Sequence, residues 1–325
     1  MRSMSSKVIA NEAKKMWFRV KELDKDYDIF RVYFGDRTSC LFKNIDCGLN
    51  LWIWTRFAFN KRLTYALLKL KKIKIPNSIV LEKDKISTFD LNSLTLKYPL
   101  VIKPCKGAHW DGVIVNIKNK AELLEWLKTA STYEQDIIIQ EFFKWEDFRV
   151  IVVNHKFVAA IKRIPAHVVG DGNHTIKDLV DIENSNEKRG DWHEKPLTKM
   201  VIDDDAINYI KEQWFTLNDT PKKWKVIFIR KNANVSTWWL SVDVTDLIHP
   251  EIKKLCEKVS KIINLKVCWV DFISEDISKP LKYQKWGIIE VNDTPSIYLH
   301  HLPAIWKPRN VAKKILELAY KTYHW

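Results

Sequence analysis

The stretch DIIIQEFFKWEDFRVIVVNHKFVAAIKRI, residues 136–164, carries three apolar, β-branched runs. DIIIQEFF, FRVIVVN and KFVAAIKRI each have the length and composition of a strand, and Asn154-His155 makes a tight turn between the last two. The segment therefore predicts an antiparallel sheet. Upstream, YPLVIKP (98–104) and GVIVNI (112–117) read as two more strands around the loop CKGAHWD, and KAELLEWLKTA (120–130) as a helix. Downstream come two helical patterns, TIKDLVDI and AINYIKEQ, then the strand KVIFIR. A long helix, HPEIKKLCEKVSKII (249–263), precedes strands ending VCWVDFI (267–273) and IIEVN (288–292), and NVAKKILELAYKTYH (310–324) forms a last helix. Strands and helices are mixed without strict alternation, which predicts an α+β fold. Residues 1–54, a short helix with the β-like runs DIFRVYF and TSCLFKNI, read as a small N-terminal accessory α+β segment, and 55–325 as the main domain.

Composition narrows the function classes. The chain has 325 residues, 46% of them hydrophobic, without a long apolar run. That predicts a real core and no membrane span. Fifty-four basic against 40 acidic side chains leave a net charge of +14, which favours anionic partners such as a nucleotide or an acidic substrate. The charges are spread along the chain and no nucleic-acid motif appears, so a nucleic-acid partner is not expected. Five Cys without a C-x-x-C pair argue against a disulfide framework and a structural zinc site. MRSMSSKVIANEAKK lacks the apolar stretch of a secretory signal, so a cytoplasmic location is expected.

Two constellations carry chemistry. Lys103 ends a hydrophobic strand and is followed by Pro104 and a small-residue loop reaching Gly112. A lysine there can present a point charge to phosphate oxygens while loop N–H groups fold over them, although lysines also end many strands by chance. Asp271 lies on one strand, and Glu290 and Asn292 lie at i and i+2 on a later one. That spacing puts Glu290 and Asn292 on one face. Two carboxylates and an amide oxygen suit Mg²⁺ that takes nucleotide phosphates as its other ligands, and acids set among VCWV and F are costly to bury unpaired. The loop RKNANVST (230–237) and the strand end Lys162-Arg163 before PAHVVGDG are donor-rich, but each is equally consistent with turn chemistry. No G-x-S-x-G and no P-loop motif occurs.

The chain resembles the ATP-grasp ligases, specifically the ATP-grasp half of cyanophycin synthetases, from about Phe59 to Val311. The resemblance rests on IKRIPAHVVGDGNHTIKDLVDIEN, RGDWHEKPLTK, IDDD, IRKNANVSTWW, DLIHPE, DISKPL and IIEVNDTPS. It implies an ATP-grasp fold over 55–325, two α+β subdomains clasping ATP, with Mg²⁺ as the metal. The implied chemistry is phosphorylation of a carboxylate to an acyl phosphate, followed by attack of an amine to give an amide, ADP and phosphate. The acid would be an amino acid or a short acidic peptide. Lys103 and Lys61 match lysines that contact phosphates, and Gly107, His109 and Gly112 fall in the phosphate-covering loop. Gln140 stands where the family usually has Glu at the adenine hinge, with Glu141 and Phe142 beside the base and Asp147 at the ribose position. Asp271, Glu290 and Asn292 match the Mg²⁺ ligands. Arg163, His167, Arg230, Asn234, Ser236 and Thr237 fall on motifs facing the acyl phosphate and substrate. The second, Mur-ligase-like half of cyanophycin synthetases has no counterpart in these residues, so polymer synthesis by this chain alone is not expected. A catalytically impaired nucleotide-binding protein is the competing reading, and homo-oligomerisation stays open.

One compositional figure is abnormal. Ordinary usage of ~7% glycine would give about 23 glycines, whereas the chain has 8 glycines and 15 tryptophans. Trp110, Trp145, Trp192, Trp214, Trp224, Trp238, Trp239 and Trp269 stand where the resembled family has Gly, and Trp17 follows the helical run ANEAKKM where turn chemistry favours Gly. The expectation is that most of these are glycine codons, UGA, read as Trp.

Overall fold

The computed structural model describes residues 3–107, 112–130, 132, 135–191, 195–230 and 240–324. It opens with α1 (Met4–Lys15) and the strands β1 (Arg19–Asp24), β2 (Ile29–Tyr33) and β3 (Ser39–Lys43). Next come α2 (Trp52–Phe59), α3 (Lys61–Leu70), β4 (Ser78–Leu81), β5 (Leu100–Pro104), β6 (Ile114–Ile117), α4 (Lys120–Ala130) and β7 (Ile137–Glu141). After β8 (Glu146–Val153) and β9 (Lys156–Ile164) follow β10 (His167–Val169), α5 (Ile176–Asn184), β11 (Arg189–Gly190), β12 (Leu197–Thr198), α6 (Asp204–Glu212), β13 (Val226–Phe228) and β14 (Leu240–Asp243). The chain finishes with α7 (Pro250–Ile263), β15 (Val267–Ser274), β16 (Trp286–Asn292), α8 (Tyr298–His301) and α9 (Val311–Tyr323). The mixed order is the α+β fold expected from the sequence. Asn154 and His155 have φ of 51° and 57°, the two left-handed residues that a two-residue turn between strands requires.

The chain divides into two compact units, one of residues 1–47, 158–246 and 296–325, the other of 48–157 and 247–295. In the second unit β4, β7, β5 and β6 form a four-stranded antiparallel sheet. Leu123, Leu127 and Ala130 of α4 are buried in one cluster with Leu100, Ile102, Ile117, Ile137 and Ile139. The alternation of inward positions along each strand places these residues on one sheet face. The same unit holds β15 between β8 and β16, antiparallel to both. Helix α7 shows why its sequence folds locally. The His249 side chain accepts from Glu251 N, Pro250 fills the first turn, and Asn264 ends the helix at φ 56°, the expected start and stop signals. Ile252, Leu255, Cys256, Val259 and Ile263 form its buried stripe.

In the first unit β1, β2 and β3 make an antiparallel meander, and Phe18 stacks on Tyr320 of α9 at 5.8 Å between ring centroids. A separate core gathers Ala166, Val168, Ile176, Val180, Met200, Ile210, Ile227 and Ile229. Thr175 and Asp178 form a reciprocal capping box at the start of α5. No helix among the described residues is long and apolar enough to cross a membrane.

Helix α9 begins on an imidazole. His301 Nε2 accepts from Ala312 N at 3.0 Å, so the bond requires an unprotonated Nε2. Burial pushes the His301 pKa down to about 4. Between the ordinary value near 6.5 and about 4, the unfolded chain therefore binds a proton that the folded chain does not. Stability contributed by neutral His301 is present above that window and is lost as the pH falls through it. Urea midpoints measured from pH 7 to pH 4 are expected to fall more steeply for the parent than for His301→Gln; parallel curves would assign the acid sensitivity elsewhere.

Candidate active site

The second unit brings five sequence-predicted residues, Lys61, Lys103, Gly107, Gln140 and Glu290, together around α3. Asn60 caps α3, its side chain accepting from Arg62 N and Leu63 N, and Lys61 N donates to Cys105 O at 2.8 Å. The helix start is thus fixed at the end of β5. One turn apart, Lys61 and Tyr65 share a helix face. Lys61 Nζ donates to Gly107 O at 3.0 Å and pairs with Glu290 Oε1 at 3.0 Å. Lys103 Nζ donates to Tyr65 Oη at 2.9 Å. The Tyr65 hydroxyl lies 2.7 Å from Ile289 O and 3.0 Å from Gln140 Oε1.

Burial pushes the Lys103 ammonium down to about 7, an effect opposed by the negative charge of Glu290. Desolvation of a cation away from a direct counter-ion has this sign. Burial also raises the Tyr65 pKa, which keeps its hydroxyl protonated as a donor. Gly107 has φ 127°, a conformation that only glycine adopts readily, and it aims its carbonyl at Lys61.

The carboxylates are arranged by strand register. Asp271 of β15 stands opposite Arg149 of β8 and opposite Glu290 of β16. Phe272 pairs with Ile288, so Ile289 is the extra residue of a β-bulge. Regular pairing continued from Phe272 and Ile288 would set Ile289 opposite Asp271, and the bulge sets Glu290 there instead. The bulge also leaves the Ile289 carbonyl to meet Tyr65. Asn292, opposite Trp269, shares the face of Glu290. Arg149 holds Asp271 in a bidentate pair, Nε to Oδ1 and Nη2 to Oδ2, both at 2.8 Å. The two side chains are only 6% and 2% exposed, and the Arg149 guanidinium lies 4.0 Å from the Trp269 ring centroid.

Asp271, Glu290 and Asn292 offer only hard oxygen donors, and each carboxylate already lies against a cation. This donor set fits Mg²⁺. Among the described residues no group of three His, Cys, Asp or Glu side chains is close enough to hold a metal, so the amide of Asn292 and ligands from outside the protein would complete a site.

Other predicted residues lie apart from this cluster. Glu141 accepts from Lys97 N at 3.1 Å and Asn77 Nδ2 at 2.9 Å, which turns its carboxylate toward β4 and the chain before β5. Phe142 N donates to Pro99 O, and Asp147 stands opposite Ile273. Gly112 has φ 73°. In the first unit, buried Arg163 pairs in register with Ser241. His167 Nδ1 lies 2.9 Å from Pro165 O, which requires the proton on that nitrogen. Arg230 contacts Asp203, which also caps α6 through Ala206 N, and lies 3.6 Å from Asp205. Arg230 therefore meets the IDDD motif. His109, Asn234, Ser236, Thr237, Trp110, Trp192, Trp238 and Trp239 lie outside the described residues.

Sequence reasoning missed Tyr65 and Arg149. The first had a faint signal, a polar ring one helical turn from Lys61; the second had a clearer one, a lone cation inside the strand FRVIVV.

Residues 58–171 match the family described as RimK-like ATP-grasp domain. Cyanophycin synthetase of Synechocystis sp. is 40% identical over 225 residues, 69% of this chain and 26% of that protein. The glutathione biosynthesis bifunctional protein GshAB of Listeria monocytogenes is 28% identical over 321 residues, 98% of this chain and 41% of that protein. The crystal structure of a bifunctional glutathione synthetase from Pasteurella multocida aligns with a TM-score of 0.75 at 24% identity, over 99% of this chain and 44% of that one. The chain spans 26% of the cyanophycin synthetase and 41% of the GshAB length. The domain match covers α3, Lys103, Gln140 and Arg149, the fold agreement covers nearly the whole chain, and the chain is a member of the ATP-grasp family.

Proposed function

We propose that the chain is an ATP-dependent carboxylate–amine ligase that forms an amide through an acyl phosphate and releases ADP and phosphate. The observation that carries the reading is the meeting of Lys61, paired with Glu290, and Lys103, held on the Tyr65 hydroxyl within electrostatic reach of Glu290 and Asp271. Phosphoryl transfer between two anions is limited by repulsion, and positioned cations stabilise the transferring group. Lys103 and Lys61 would bind phosphate oxygens, with the loop from Gly107 to Gly112, including His109, covering them and excluding water. Gln140, Glu141, Phe142 and Asp147 would line the nucleoside side. Asp271, Glu290 and Asn292 would hold Mg²⁺, which when bound neutralises phosphate charge. Arg163 and Arg230 would serve the acyl phosphate, and His167, Asn234, Ser236 and Thr237 the acid and amine. The names of the two relatives support an amino acid or short acidic peptide as the acid.

Screening amino acids and short acidic peptides with Mg·ATP is expected to give ADP release. AMP and pyrophosphate as products would overturn the acyl-phosphate route, and nucleotide binding without turnover across the screen would favour an impaired binder. The lowered pKa of Lys103, about 7 in the free protein, adds a second check. Phosphate beside the lysine favours its charged form, so Mg·ATP binding at pH 8 should take up protons. Calorimetry in buffers of different ionisation enthalpy reads this directly, and no uptake would remove Lys103 from the phosphate site.

A further inference from the structure

We propose that Tyr65 is a positioning residue, the clamp that sets where Lys103 holds its charge. The inference rests on the ligase reading for its consequence in turnover, but not for its geometry. Tyr65 is buried, and its one hydroxyl touches three strands: Lys103 of β5, Gln140 of β7 and the bulged Ile289 of β16. The Lys103 ammonium has a long flexible stem, and the phenol oxygen is an acceptor fixed by a helix whose start is itself tied to β5. The same hydroxyl meets the carbonyl next to Glu290. A single group therefore sets the spacing between the cation and the carboxylate pair.

Tyr65→Phe removes the acceptor while keeping the ring. Acetylation of Lys103, read by peptide mass spectrometry on the protein without nucleotide at a temperature where parent and variant are both folded, is expected to run several-fold faster in the variant. An unchanged rate would overturn the proposal. In turnover assays the variant is expected to raise KM for ATP about tenfold with kcat within about twofold, the split of a lost ground-state contact. Equal losses in kcat and kcat/KM would overturn the positioning role. Faster acetylation in a protein whose parent form shows no turnover would leave the clamp standing and remove the ligase reading.

A different observation carries a second proposal. Among the described residues eleven non-glycine positions have positive φ, and four of them are tryptophan: Trp17 at 64°, Trp214 at 66°, Trp224 at 70° and Trp306 at 79°. Left-handed backbone favours Gly and tolerates Asn or Asp, whereas a bulky side chain there is a genuine outlier. Two of the four occupy the position after a helix cap in full Schellman geometry. Trp17 N donates to Lys14 O and Phe18 N to Ala13 O; Trp214 N donates to Lys211 O and Phe215 N to Ile210 O. Trp224 is the third residue of a turn closed by Lys225 N to Lys222 O, where a type II turn calls for Gly. Packing does not account for the indoles, since the four are 95%, 92%, 76% and 61% exposed.

We infer that positions 17, 214, 224 and 306 are glycine in the protein as its own cell makes it, one codon being read there as Gly. Backbone geometry thereby reaches Trp17 and Trp306, which the family pattern does not, and agrees with that pattern at Trp214 and Trp224. Peptide sequencing by mass spectrometry of protein isolated from the source cells is expected to return Gly at all four; Trp there would overturn the inference. Independently, combining Trp17→Gly, Trp214→Gly, Trp224→Gly and Trp306→Gly in the 325-residue chain should raise the melting temperature by several degrees. A lower melting temperature would count against it.

Discussion

Replacing Glu290 with Gln is expected to lower turnover by roughly a hundredfold or more while leaving the fold intact. The substitution keeps the volume and one acceptor oxygen but removes the charge that stands opposite Asp271. Lys61 keeps its bond to Gly107 O, so the start of α3 stays tethered. The lost carboxylate is a proposed metal ligand, and such ligands stabilise transition-state charge by several kcal/mol. Each ~1.4 kcal/mol is a factor of ten in rate. Steady-state kinetics beside far-ultraviolet circular dichroism separates a chemical loss from unfolding. Near-normal turnover would move the metal away from β16.

Arg149→Met is expected to be the most damaging single change to stability. Arg149 and Asp271 form a buried bidentate pair, and removing the guanidinium takes the bidentate cation from a buried carboxylate, a loss of about 3–5 kcal/mol. The double replacement Arg149→Met with Asp271→Leu should recover most of that loss, because a well-packed apolar pair carries no desolvation penalty. Urea denaturation of the parent, the single and the double variant measures both terms. A double variant as unstable as the single would mean that Arg149 acts through packing, including its contact with Trp269, instead of through charge.

Much of this was legible in the sequence because it is local. The Asn154-His155 turn, the capped stripe of α7, the lysine ending β5 and the i, i+2 pair Glu290 and Asn292 all follow from short-range rules. The pairing of Asp271 with Glu290 was readable as chemistry, but its register was not, since nothing in IIEVN announces that Ile289 is an extra residue. Tyr65 and Arg149 stayed hidden for the same reason: each acts on residues far away in the chain, and only the folded sheet brings Lys103 or Asp271 to them. Punctuation was obscured as well, because the helix ends at Trp17 and Trp214 lack the glycine that marks such stops.

Glu290 and Asn292, two residues apart beyond the bulge at Ile289, make the site depend on a count as much as on identities. Side chains along a strand alternate between faces, so each residue has a parity relative to its partner strand. Deleting one residue from 286–289 would leave regular pairing with Glu290 still opposite Asp271, whereas deleting Val291 would bring Asn292 opposite Val270 and turn it to the far face without altering either residue. The cluster can therefore drift by substitution around its acids, whereas a single-codon deletion between Glu290 and Asn292 disassembles it, and divergence there is channelled into changes that preserve length.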